Sequence, residues 1–178
     1  DEECGNFNSH AWRAILNTRM VLSWVNRRFL NSLSETRRIG RNVLLVHGAY
    51  DDPSRYIMGP QGAVEAAEEL FQWEGEGVCF YGHTHHRMAA DQCGILPFFK
   101  EKVQLFPGRR LMLNPGSVGQ PRDESSDASF LVWDDVAMSF EFFRTPYDVR
   151  AAQRDIRKAG LSDWLADRLD KNGRKELC

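Results

Sequence analysis

Two short stretches decide the fold: NVLLVHG at residues 42–48 and VCFYGHTH at residues 78–85. Each begins with a continuous run of aliphatic, β-branched or aromatic residues, which is typical of a strand buried on both faces. Each run ends at glycine and histidine, and the segment between the two predicts a helix from Ala63 to Trp73. Two buried strands separated by a helix predict an α/β fold.

Further elements follow on both sides of this unit. Apolar residues at three- and four-residue steps predict one amphipathic helix from Phe7 to about Leu30, with Trp12, Trp24 and, in the later helix, Trp73 in core positions. Residues 128–133 and 136–143 predict an antiparallel hairpin. Two closing helices are predicted, one from Asp148 to about Ala159 and one that begins at Ser162.

Length and composition set the class of protein. The 178 residues, 42% of them hydrophobic, are enough for a single domain over residues 1–178. No apolar run approaches the roughly 20 residues of a membrane-spanning helix. The net charge of -2 lacks the basic excess that marks non-specific nucleic-acid binding. The four cysteines, Cys4, Cys79, Cys93 and Cys178, form no C-x-x-C pair, which favours a reducing, cytoplasmic setting.

Histidines mark the ends of both buried strands. His83 and His85 flank one residue on a predicted loop, where Gly82 would let the backbone turn tightly. An isolated H-x-H motif is a weak signal, since an exposed or core-satisfied pair is commoner. However, His47 follows the other strand in the same way, and ligands of open α/β sheets gather outside the carboxyl ends of the strands. Three histidines placed in this way suit a transition-metal site.

Three segments in this order and spacing carry a family resemblance: VHG at 46–48, YGHTH at 81–85 and NPGSVGQPR at 114–122. Together they resemble the C-terminal half of the calcineurin-like metallophosphoesterases, in the small prokaryotic-type phosphodiesterase branch, and the likeness covers nearly the whole chain. The resemblance implies the C-terminal half of an α/β/β/α sandwich. It also implies a metal-dependent hydrolase acting on phosphodiesters or phosphomonoesters.

The same resemblance implies a cofactor and its ligands. The family holds two divalent ions, commonly Mn, Fe, Zn or Mg, about 3.5–4 Å apart. By resemblance, His47 and His83 would ligate one ion and His85 the other. Two such ions would clamp a phosphate-ester substrate and lower the pKa of a bound water. The resemblance leaves the catalytic and substrate-binding residues unassigned.

The first-half motifs of the family, G-D-x-H, G-D-x-x-x-x-G and G-N-H-[DE], are absent. The chain also opens at Asp1 without an initiator Met. We therefore expect that the site needs an N-terminal half, supplied by a complementing segment or within a homo-oligomer, and that this chain alone is inactive. Gly5-Asn6-Phe7 offers a weak match to the third motif, on which Asn6 would be a ligand; the alternative is that the chain begins downstream of that motif.

Two other functions stay open at this level. Some members of this branch keep the fold as a protein-interaction scaffold, although the intact histidine set favours the enzyme. A mononuclear site formed by the three histidines and a water is the third possibility.

For the remaining polar residues a surface or structural role is expected. His10 and His86 are typical surface groups, though His86 could line a cleft, and residues 114–119 predict a structural turn. Arg122 could reach a phosphate, but an arginine on a loop is usually solvated. The Arg37-Arg38 pair is expected on a solvated face or loop.

Overall fold

The structure is a computed structural model that describes residues 7–74, 77–96, 102–104 and 109–171. Asn6, Cys4 and Cys178 lie outside the described residues. Its contacts divide the chain into two compact units, Asp1–Ser34 with Asp148–Cys178, and Glu35–Tyr147. The elements in chain order are α1 (Ser9–Val21), α2 (Trp24–Asn31), β1 (Thr36–Ile39), β2 (Val43–Val46), α3 (Gly59–Glu74), β3 (Val78–Phe80), β4 (Arg87–Asp91), β5 (Gly94–Ile95), β6 (Val103–Gln104), β7 (Leu111–Pro115), β8 (Ala128–Asp134), β9 (Ser139–Thr145), α4 (Val149–Lys158) and α5 (Asp163–Asp167).

The larger sheet of the Glu35–Tyr147 unit has six strands in the order β1-β2-β3-β7-β4-β5. The pairs β2·β3 and β3·β7 are parallel, whereas β1, β4 and β5 pair antiparallel with their neighbours. A second sheet has the order β6-β9-β8 and is antiparallel. The three central strands of the larger sheet therefore end at one common edge.

Alternation along the central strands builds two cores. Cys79 and Met112 point to one face, where they cluster with the helix α3 residues Ala63 and Ala67. The residues next to them in sequence, Val78, Leu111 and Leu113, point to the other face and cluster with Phe140 of the second sheet. The side-chain period of two in a strand explains this division. The resulting helix, sheet and sheet layers confirm the predicted α/β class.

The predicted single helix over residues 7–30 is wrong, because the chain forms α1 and α2 with a break at Leu22 and Ser23. Ser23 Oγ accepts from the backbone N–H of Asn26 at 3.2 Å, so Ser23 caps a new helix. A serine side chain that bonds to nearby backbone competes with helix continuation. Trp24 is also not a core residue, since it is 70% exposed.

The other tryptophans and the start of α3 also differ from expectation. Trp12 is only half-buried, and the Trp73 side chain lies outside the described part of the chain. Helix α3 begins at Gly59, four residues before the predicted Ala63. Pro60 stands in its first turn, where the missing backbone N–H of proline costs nothing.

The arginine-rich segment before β2 is an edge strand and not a loop. Arg37 and Arg38 lie in β1 and are exposed, and among the described strands β1 pairs only with β2. Charged side chains on an edge strand discourage pairing with another chain. Sequence analysis missed this strand because its pattern has no apolar alternation.

The hairpin of β8 and β9 is confirmed. Asp134 Oδ1 accepts from the backbone N–H groups of Val136 at 3.1 Å and Ala137 at 2.7 Å, which closes the turn. Met138, with φ +47°, belongs to that turn, while Phe140 is fully buried.

In the other unit, both predicted caps of the closing helices are confirmed. Asp148 Oδ1 accepts from Ala151 N at 2.8 Å, and Ser162 Oγ accepts from Trp164 N at 3.2 Å. His10 of α1 stacks on Trp164, with ring centroids 5.0 Å apart. The first and last helical segments of the described chain thus pack together.

None of the helices in the described ranges combines the length and the apolar character that crossing a bilayer requires.

Burial makes the Cys79 thiol unreactive. Burial raises the pKa of Cys79 to about 12, so at pH 8 almost no thiolate, the reactive form, is present. In a variant that keeps only Cys79, with the other three cysteines changed to serine, we expect a thiol-specific aryl disulfide to react at least about 100-fold more slowly than after unfolding. A variant that keeps only the exposed Cys93 is the control and should react at once. Equal native rates in the two variants would contradict the burial of Cys79.

Candidate functional site

His47 and His83 lie side by side at the carboxyl edge of the parallel strands. Strands β2 and β3 pair with Leu45 opposite Phe80, so both chains leave the sheet at the same edge. His47 Nε2 and His83 Nδ1 are 3.0 Å apart, and the ring centroids are 4.8 Å apart. The structure thus brings these two predicted residues into direct contact.

The backbone carbonyl of Ser54 sets the tautomer of His83. His83 Nε2 lies 3.0 Å from Ser54 O, and because a carbonyl only accepts, Nε2 carries the proton. The lone pair of the neutral ring is therefore on Nδ1, which faces His47 Nε2. In the other tautomer of His47, with its proton on Nδ1, both nitrogens would direct lone pairs at one volume.

The electrostatic surroundings favour the neutral form of His47. Burial lowers its pKa, and the neighbouring His83 imidazole lowers the pKa further. Both effects disfavour the imidazolium ion. Only the neutral imidazole has a nitrogen lone pair with which to ligate a metal.

Gly48 allows the loop that carries Ser54 to approach the histidines. A Cβ at position 48 would lie 2.5 Å from the carbonyl oxygen of Pro53 and 2.7 Å from that of Arg55. These are backbone atoms, so a side chain here would displace the loop. The Ser54 carbonyl would then move away from His83.

We predict that Gly48→Ala lowers the free energy of unfolding by about 1–3 kcal/mol, the usual cost of overpacking. The ring ¹⁵N shifts of His83 should also change, because the loop that fixes its tautomer moves. Urea denaturation and NMR measure the two effects. Gly119→Ala is the matched control, since a Cβ there meets no atom within 4 Å. Equal stability of the two variants would contradict the close approach.

Backbone strain falls on the histidines themselves. His83 has φ +64° and His85 has φ +61°, values that cost a residue with a side chain roughly 1–3 kcal/mol each. Thr84 N donates to Gly82 O at 2.7 Å, which closes a tight turn around His83. The expectation that Gly82 supplies the unusual backbone is therefore wrong, since its own φ is not in the left-handed region.

Asn114 holds this strained loop from the neighbouring strand. It is fully buried, and its Nδ2 donates to Gly82 O at 2.9 Å and to Thr84 Oγ1 at 2.8 Å. Its Oδ1 accepts from Gly116 N at 2.9 Å. Asn114 and Pro115 end β7, so the predicted turn over residues 114–119 starts later, at Gly116 with φ +90°.

We predict that Asn114→Ala lowers the free energy of unfolding by about 1–3 kcal/mol for each buried partner left unpaired. Chemical denaturation measures this loss, and Asn26→Ala, on the exposed face of α2, is the control. Near-equal midpoints for the two variants would refute the anchoring role of Asn114.

His85 is oriented by a second backbone carbonyl. Its Nδ1 lies 2.7 Å from Gln120 O, so Nδ1 carries the proton and Nε2 has the lone pair. Ser117 Oγ accepts from Gln120 N at 2.9 Å, which fixes this carbonyl. Histidine ligands of metals commonly donate their other N–H to a backbone carbonyl in this way.

The His47 and His83 pair fits a divalent cation as two of its ligands. Because metal–imidazole bonds are about 2.0–2.1 Å long, nitrogens 3.0 Å apart can both reach one ion. Among residues 7–74, 77–96, 102–104 and 109–171, no three His, Cys, Asp or Glu side chains gather closely enough to hold a metal. The described residues therefore do not form the mononuclear three-histidine site.

His86 and His10 have other surroundings. His86 lines a cavity of about 280 Å³ together with Tyr81, Met58 and Met88, which is consistent with a cleft-lining residue. His10 belongs to the other unit, where it stacks on Trp164.

Four groups that shape the site were not predicted from the sequence. The carbonyls of Ser54 and Gln120 could not be recognised there, because every residue has a carbonyl. Tyr56, whose ring stacks on His83 with centroids 3.8 Å apart, sits in a loop with no periodic pattern. Only Asn114 had a signal, since it follows an apolar run that resembles β2 and β3.

Comparison with known proteins places the chain among related sequences and structures. A profile described as the calcineurin-like phosphoesterase superfamily domain matches residues 5–135. An uncharacterized protein of Methanocaldococcus jannaschii is 31% identical over 173 residues, which cover 94% of this chain and 68% of that protein. The crystal structure of a metallophosphoesterase from Sphaerobacter thermophilus matches with a TM-score of 0.77 at 29% identity, over 93% of this chain and 70% of that one. A hypothetical protein from Pyrococcus horikoshii shares the fold at 18% identity and a TM-score of 0.70, over 95% of this chain and 66% of that one.

Proposed function

Because the chain belongs to the calcineurin-like phosphoesterase superfamily, we propose that it hydrolyses phosphodiesters or phosphomonoesters with the help of two divalent metal ions. The observation that carries this proposal is the 3.0 Å approach of His47 Nε2 to His83 Nδ1. Two nitrogens placed so closely at the carboxyl edge of a parallel sheet are suited to a shared cation.

In this proposal the three histidines ligate two different ions. His47 and His83 hold one ion, and His85 holds the other through Nε2. The carbonyls of Ser54 and Gln120 keep His83 and His85 in the tautomers that ligation needs. The remaining ligands would be waters or groups outside the described residues.

When bound, two cations of the Mn, Fe, Zn or Mg class would supply a nucleophilic hydroxide near neutral pH and offset the negative charge of a transferring phosphoryl group. The work of this chain is to position them. The strained turns at His83 and His85, held by Asn114, fix the directions of the ligating nitrogens before any ion arrives. Such preorganisation spares the site from rearranging during the reaction.

Metal titration tests the assignment directly. We predict that His47→Ala and His83→Ala each weaken Mn²⁺ binding at least about tenfold, because even the outer partners of metal ligands are worth about 10–100-fold. Calorimetric titration of the full chain measures the affinity. Hydrolysis of a generic aryl phosphodiester in Mn²⁺, if the chain supports it, should fall in parallel.

His10→Ala is the matched control, because it removes a histidine from the other unit. It should bind Mn²⁺ as the parent does. A His83→Ala chain that binds Mn²⁺ as tightly as the parent would overturn the proposed site.

A further inference from the structure

We propose that Arg122 binds the phosphate group of the substrate, taking two of its non-bridging oxygens through the two Nη groups of its guanidinium. This inference rests on the proposed phosphoesterase function and adds to it the side chain that recognises the anion. Three observations support it: the position of Arg122, the anchoring of its loop and the absence of a carboxylate partner among the described residues. The donor geometry of a guanidinium group adds a chemical reason.

Arg122 and His83, one of the paired histidines, both contact the ring of Tyr56. Its Cζ atom is 5.4 Å from the centre of the Tyr56 ring. Tyr56 in turn stacks on His83, with ring centroids 3.8 Å apart and an angle of 28° between the planes. Tyr56 thus contacts both Arg122 and one of the paired histidines.

The loop that carries Arg122 is anchored on both sides. Before it, the Gln120 carbonyl accepts from His85 Nδ1 at 2.7 Å. After it, Asp123 pairs with Arg144 at 2.6 Å, with both side chains only 20% exposed. Arg122 is held between a proposed metal ligand and a half-buried ion pair, and it is itself only partly exposed.

Among the described residues, no carboxylate neutralises the charge of Arg122. The nearest carboxylate in sequence, Asp123, is engaged by Arg144. Within the described ranges no acidic group forms an ion pair with Arg122, and its Nε is shielded from solvent without a hydrogen-bond acceptor. A half-buried cation without a counter-ion is costly, so the group favours an anionic ligand.

A phosphate ester would supply the negative charge that this guanidinium lacks. The guanidinium is planar and always charged, and its two Nη groups match two oxygens of a phosphate in parallel hydrogen bonds. Contact with the Tyr56 ring holds the plane of the guanidinium while leaving its edge for the anion. Lysine, which has a single point charge, would not reproduce this fork.

The test separates anion binding from metal binding. The full chain is titrated calorimetrically with inorganic phosphate, once with Mn²⁺ present and once without, and with Mn²⁺ alone. We expect Arg122→Ala to weaken phosphate binding about tenfold or more, as for other hydrogen bonds to charged groups, and to leave the Mn²⁺ affinity unchanged. Arg122→Lys should recover only part of the loss. Arg41→Ala, at an exposed arginine of the same unit, should behave as the parent.

Three results would contradict the proposal. Unchanged phosphate affinity in Arg122→Ala, full recovery in Arg122→Lys, or a parent chain that does not bind phosphate would each overturn the role of Arg122. Failure of the proposed function shows differently, as Mn²⁺ binding that is absent or insensitive to His83→Ala. In that case the titration without Mn²⁺ still decides whether Arg122 binds the anion. Circular dichroism confirms that both Arg122 variants are folded.

Discussion

The parallel pairing of β2, β3 and β7 is the constraint on which the rest of the structure depends. It buries the three strands between helix α3 and the second sheet, and it makes all three end at one edge. At that edge each strand delivers one polar residue or motif: His47, the loop from Gly82 to His85, and Asn114. The apolar core thus sets the site indirectly, because moving one strand by one residue would exchange the side chains of its two buried faces and displace the residue that it delivers to the edge.

Backbone groups do much of the positioning at this edge. Carbonyls of two different loops choose the tautomers of His83 and His85, and Gly48 lets the first of these loops come close. The side chain of Asn114 bridges the strained turn from a fully buried position. Because these groups hold each other, the cost of the left-handed histidines is offset by hydrogen bonds that exist only in the folded chain.

The site joins two kinds of recognition in a small space. Neutral imidazoles with directed lone pairs are suited to cations, and the guanidinium of Arg122, which pairs with no carboxylate among the described residues, is suited to an anion. Tyr56 contacts both Arg122 and His83. A metal-bound phosphate ester carries both kinds of charge, so the arrangement agrees with membership of a phosphoesterase family.

The sequence by itself determined the α/β class and the position of His47 and His83 after buried strands, because apolar runs that end in histidine mark strand ends without knowledge of packing. The family, and the expectation that these two histidines share an ion, came from the resemblance of three motifs. The sequence did not predict β1, because a segment with Arg37 and Arg38 has no apolar alternation and becomes a strand by pairing with β2. It also did not predict the break before Ser23, where the serine caps a new helix although the helical pattern continues. Only the tertiary structure decided the tautomers of the histidines, the backbone strain at His83 and His85, and the lack of a carboxylate partner for Arg122 among the described residues. These depend on contacts between residues about 30 or more positions apart, such as His83 with Ser54 and His85 with Gln120, and local sequence patterns carry no record of such distances.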